Sequence, residues 1–161
     1  MDWVMLLRWL HVIGATVLLG TGAGIAFFMV MAQRTGRAEL IAHVAGTVVV
    51  ADLLFTLTAV VAQPVTGALL AHAMGWSLGE GWIALSLALY VVTGVFWLPV
   101  VGIQIRLRDL AREAVAHNRP LVPQAHCLYR VWIACGFPAF AAVLGIVWLM
   151  LARPALPTPW S

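Results

Sequence analysis

Four long apolar stretches, residues 3–31, about 44–73, 82–105 and about 127–152, constrain this chain more than any other feature. An α-helix rises 1.5 Å per residue, so about 20 residues cross a hydrocarbon core about 30 Å thick, and every stretch exceeds that length. Inside lipid each backbone amide must be satisfied by the protein itself, which leaves helices and closed barrels. These runs of Leu, Val, Ala and Ile lack the alternation of barrel strands. Composition agrees: 63% of residues are hydrophobic, 9% are charged, and the mean hydropathy is +1.00. The expected fold is all-α, an integral membrane four-helix bundle. It forms a single transmembrane domain over residues 1–161, with helices at about 3–31, 44–73, 82–112 and 127–152. The third includes an extension beyond the bilayer that Asn118-Arg-Pro ends. The first stretch follows Met1-Asp2 with no basic leader, so it reads as a retained span and not as a signal peptide. The tail, with Pro154, Pro157 and Pro159, reads as irregular.

Arginine placement predicts the orientation, because basic residues near span ends remain cytoplasmic. The chain has no lysine. Arg34 and Arg37 fall in the first loop, and Arg106, Arg108, Arg112, Arg119 and Arg130 in or beside the third, against Arg8 and Arg153 towards the other side. Both termini are therefore expected outside the bacterial cytoplasmic (inner) membrane, in a multi-pass N-out/C-out topology. The net charge of +3 arises largely from this asymmetry. It implies contact with anionic headgroups of the lipid bilayer and no nucleic-acid partner. Cys127 and Cys135 lie on the reducing side under this topology and have no paired metal-ligand spacing, so they read as unpaired core residues.

Polar residues in the spans are few and periodic. At three- and four-residue steps Asp52, Thr56, Gln63 and Thr66 form one stripe on the second helix. Ser86, Tyr90, Thr93, Trp97 and Gln104 form one on the third. The two stripes are expected to face each other as a polar core. Asp52 is the sharpest feature, since a carboxylate within a span costs about 2.5–3.5 kcal/mol on insertion scales and needs a partner. Counting rises from the cytoplasmic ends brings Gln104, Arg130 and Trp132 near its depth, with Arg130 the expected counter-ion. A proton-carrying role is the functional alternative.

Arg8 and His11 share a face of the first helix. An imidazole there suits a haem iron, and the arginine suits a propionate. The second imidazole of a bis-histidine site would be His72, roughly 9 Å further out by helical rise unless a bend at Pro64 draws it inward. Gly20 and Gly24 form a small-xxx-small pair suited to bundle packing, a homodimer or a flat ring. Pro64, Pro99 and Pro138 each interrupt a span.

A set of motifs runs through the chain in order: Leu10-His-Val-Ile-Gly-Ala, Ala51-Asp-Leu-Leu-Phe-Thr, Gln63-Pro-Val-Thr-Gly, Phe96-Trp-Leu-Pro-Val, Ile103-Gln-Ile-Arg-Leu-Arg-Asp-Leu-Ala, Trp132 and Gly136-Phe-Pro-Ala. The set resembles a bacterial family of predicted integral membrane proteins of the DUF2269 type, a likeness that implies no activity. More distantly, the layout is similar to the haem-b membrane protoporphyrinogen oxidase and to the copper-resistance D four-helix proteins. That similarity implies His11 as a haem ligand. The absence of lysine argues against the oxidase activity, and the scattered methionines argue against copper transport.

The leading functional expectation is a haem-b-binding membrane protein that transfers electrons to or from a quinone or porphyrin, with His11 as the metal ligand and Arg8 and His72 beside the cofactor. The first rival is a small transporter or proton-coupled permease subunit working as a homodimer through Asp52, Gln63, Thr66 and Gln104. The second is a non-catalytic accessory subunit of a membrane complex. No Ser–His–Asp set, phosphate loop or zinc motif points to hydrolysis.

Overall fold

The computed structural model describes residues 2–157; Met1 and Pro159, which enter the expectations for the start and the tail, lie outside the described residues. Four helices make up the fold: α1 (Trp3–Thr35), α2 (Ala38–Ala73), α3 (Gly81–Ala116) and α4 (Pro123–Ala152). Each is long and apolar enough to cross a membrane. The all-α architecture is the expected one, and local chemistry sets its boundaries. The Asp2 carboxylate accepts from the Val4 amide at the start of α1. Gly36, with φ 65°, closes the helix in the left-handed region that glycine enters without strain.

Helix α2 begins at Ala38 and not near Val44, because Glu39 to His43 continue the helix although they do not belong to the apolar run. Helix α4 begins at Pro123 and not at Cys127, since proline suits the first helical turn, where no amide is needed. Helix α3 runs to Ala116, four residues past the expected end at 112 (116 − 112), and Asn118 turns the chain with φ 48°. All three internal prolines lie within continuous helices.

Burial identifies the central helix. The most apolar window of α2 is 33% buried, against 17% in α3 and 11% in both α1 and α4. Phe27, Leu98, Phe137 and Leu151 point outward, as lipid-facing side chains do. Helices α3 and α4 form the tightest pair. Helix α2 changes neighbour along its length, packing mainly on α3 before Asp52 and on α1 after Thr56.

The main core sits toward the arginine-rich end, where Ile25, Met29, Ala45, Val48, Val100, Leu107 and Trp132 interlock. At the opposite end Ala71, Trp82 and Ile83 form a smaller cluster. There the irregular tail folds back: the Arg153 guanidinium lies 4.5 Å from the centre of the Trp76 ring, and the Trp82 indole donates to Glu80 at 2.8 Å. Gly20 and Gly24 meet nothing within 4 Å at their missing side-chain positions, whereas Gly14 packs directly on Gln63. Bundle packing thus uses Gly14 and not the small-xxx-small pair.

Candidate functional site

The change of neighbour in α2 occurs at one irregular turn. Residues Asp52–Thr56 are π-helical, and the Leu57 amide donates to the Asp52 carbonyl five residues back. A π turn takes in about one extra residue, which rotates everything after it by roughly 100° relative to an unbroken α-helix. Asp52 and Thr56 consequently face α3, while Gln63 and Thr66 face α1. The single polar stripe expected on this helix is corrected to two patches serving two neighbours. Constant 3.6-residue periodicity cannot represent the inserted residue.

The first patch lies deep in the bundle. Asp52 is 3% exposed and Gln104 is fully enclosed, with Thr56 buried beside them. Thr56, Gln104 and Trp97 turn polar atoms towards the Asp52 carboxyl. None of these atoms closes a hydrogen bond of normal geometry: Thr56 Oγ1, Trp97 Nε1 and both amide atoms of Gln104 stand without a partner, as does Trp132 Nε1 in the adjoining core. Leaving a buried polar atom unsatisfied costs about 1–3 kcal/mol, so this layer is expensive as packing alone.

The expected Arg130 counter-ion is a correction. Arg130 is exposed, and among the described residues the salt bridges are Arg37–Glu39 and Arg108–Asp109. Matching depth along two helices does not fix the azimuth of a side chain, and Arg130 points away from the bundle axis.

The second patch joins α1 to α2. His11 Nδ1 lies 3.0 Å from Thr66 Oγ1, and the Gln63 amide donates to the His11 carbonyl at 2.8 Å. Thr66 has one hydroxyl proton, and its oxygen lies 2.7 Å from the Ala62 carbonyl. The Thr66 hydroxyl therefore meets the imidazole at Nδ1 while remaining within reach of its own helix's carbonyls. Gly67 makes room for the ring: a side-chain carbon there would sit 3.2 Å from His11 Cε1. Polar periodicity does not single out Gly67, although its place beside Thr66 in Gln63-Pro-Val-Thr-Gly was a usable signal.

Further along, Arg8 Nη2 reaches the Met74 sulfur at 3.7 Å. His72 is exposed and lies five residues beyond Gly67 (72 − 67), a rise of about 7.5 Å. Its offset from His11 persists through Pro64, so α2 does not bring the two imidazoles together. An open apolar groove of about 470 Å³, bordered by Leu57, Val61, Val65 and Thr66, runs along α2 up to the hydroxyl that holds His11. Tyr90 joins α3 to this half of α2 by donating to the Val60 carbonyl at 2.5 Å. Ser86 and Thr93 bond back to their own helix, at the carbonyls of Trp82 and Leu89, and contribute to neither patch.

Residues 5–154 match the family described as Predicted integral membrane protein (DUF2269). The chain belongs to that family. This DUF2269 protein is therefore a multi-pass integral membrane protein whose outward apolar side chains meet the lipid bilayer. No curated protein and no solved structure matches it. Among its described residues no three His, Cys, Asp or Glu side chains gather as a metal-ion site, and both cysteines are free thiols. What the DUF2269 chain offers chemically is a half-buried imidazole set against Thr66, and one enclosed carboxyl surrounded by polar side chains.

Proposed function

We propose that this protein binds haem b in the membrane, with His11 Nε2 as the iron ligand. The observation that carries the reading is the Thr66 hydroxyl at Nδ1, 3.0 Å away, which holds the ring through one nitrogen. Histidines that bind metals are commonly oriented by such a second hydrogen bond. The residues fit a group held by one imidazole of this chain. Gly67 seats the ring against α2, the groove along α2 is apolar, and Arg8 has guanidinium donors to offer a propionate. His72 drops out as a second ligand, so a sixth ligand would come from elsewhere.

A bound haem b supplies one-electron redox chemistry, and a membrane quinone or a porphyrin is the proposed exchange partner. The chain's own task is to orient the imidazole and to surround it with apolar side chains. On this reading the protein sits in the bacterial cytoplasmic membrane with both termini outside, in line with its arginine asymmetry. Purification from haem-replete cells followed by a pyridine haemochrome assay tests it. A Soret band that disappears in His11→Ala is expected; colourless protein, or a band indifferent to that change, refutes it.

The unpartnered polar atoms around Asp52 favour a second reading, in which this carboxyl carries a proton for a permease subunit. A proton is the one ligand that needs no cavity. Proton uptake by reconstituted vesicles that is the same in wild type and Asp52→Asn would remove the carboxyl from such a role.

A further inference from the structure

At the arginine-rich end, α2 and α3 diverge into an open groove of about 420 Å³ lined by His43, Gly46, Thr47, Val50, Arg108 and Arg112. Charge is unbalanced there. Arg108 is held by its neighbour Asp109, through Nε at 2.9 Å and Nη2 at 2.8 Å. Arg112 has no carboxylate partner among the described residues. Its Nη2 lies across α2 at Gly46, 3.5 Å from where a side-chain carbon would be, and Arg108 Cδ comes within 4.0 Å of the same point. Both arginines thus lie in contact range of the neighbouring helix, and a side chain well beyond the size of alanine at position 46 would displace them.

The groove is also graded in polarity. Arg112 and His43 occupy the end nearer the helix α3 terminus, while Val50 lies nearly two turns deeper along α2. A guanidinium offers paired N–H donors matched to a phosphate, and Arg112 makes no ion pair among the described residues.

We infer that this groove is a specific site for the phosphodiester headgroup of an anionic membrane lipid. The phosphate sits between Arg112 and Arg108, with His43 beside it, and the first acyl carbons lie towards Val50. The groove shares no residue with the His11 patch, so its ligand is independent of the haem reading.

Native mass spectrometry of the purified full chain, titrated with phosphatidylglycerol and with phosphatidylcholine of the same acyl chains, tests it. One saturable phosphatidylglycerol adduct is expected, with phosphatidylcholine markedly weaker. Arg112→Gln should weaken the adduct about fivefold, the effect of one basic residue at an anionic headgroup. Gly46→Leu should weaken it comparably while keeping both arginines. Arg119→Gln, outside the groove and with its side chain exposed, should leave it unchanged. Equal loss in Arg119→Gln and Arg112→Gln would overturn the site in favour of diffuse surface charge. Full binding in a helical, soluble Gly46→Leu variant would overturn the groove, and displacement of the lipid by millimolar inorganic phosphate would overturn a lipid as the occupant.

Discussion

The Tyr90 phenol donates to the Val60 carbonyl at 2.5 Å, and Val60 is the residue that Pro64, four positions on, cannot serve with an amide. A freed carbonyl in a membrane span needs a donor from elsewhere, and α3 supplies it across the seam where it touches this half of α2. In reversible unfolding from detergent micelles, Tyr90→Phe should lose about 1 kcal/mol, the scale of one interhelical hydrogen bond in a membrane. In a Pro64→Ala background the same change should cost far less, because an alanine at that position restores an amide for Val60. A double-mutant cycle with no coupling between the two positions would contradict this account.

The His11 ring depends on the absence of a side chain at position 67. Gly67→Leu should push the imidazole from Thr66, abolishing the Soret absorbance if haem is bound as proposed, while circular dichroism retains full helix content. Thr66→Val removes the hydroxyl at Nδ1 but keeps the shape, so it should shift the reduction potential or the Soret maximum and retain some haem. Spectra of Thr66→Val identical to wild type would show that the hydroxyl does not orient the ligand.

Removal of the Asp52 acceptor bears on a whole layer of donors. Asp52→Leu removes the carboxyl towards which Thr56, Trp97 and Gln104 turn their polar atoms, and should lower the unfolding midpoint. Asp52→Asn keeps a carbonyl oxygen and should cost distinctly less. Unfolding midpoints that rank the two variants in the opposite order would contradict the claim that the layer needs an acceptor.

At the other end of α3, a side-chain carbon on Gly81 would lie 2.7 Å from Leu156 Cβ and from the carbonyl oxygens of Leu156 and Pro157. Backbone cannot yield as a side-chain tip can, so Gly81→Ala should lift the tail and break the stacking of Arg153 on Trp76. Limited proteolysis should then release the tail faster than in wild type. Cleavage at the wild-type rate would mean that the tail contact is dispensable.

Some of the candidate site was legible before the fold was known. A histidine and an aspartate in apolar helices stand out because lipid penalises them, and both prove to be anchored inside the bundle. Their partners were less legible. Thr66 and Gln104 were visible as members of polar stripes, but the stripe logic paired α2 with α3 throughout, whereas the π turn hands Thr66 to His11 on α1. Arg130 was drawn in by depth and His72 as the other outward-side histidine, despite its offset, and both are exposed.

The sequence by itself determined four membrane-crossing helices, since the length of an apolar run and the cost of bare amides in lipid are local properties. The helix ends lie beyond the apolar runs, since Gly36 closes α1 and Pro123 opens α4 outside the hydrocarbon-length stretches. Only the tertiary structure decided which faces meet. One extra residue in the turn at Asp52–Thr56 changes the phase of everything that follows, a departure from constant helical periodicity that the fold alone displays. Which side chain His11 meets follows from that rotation.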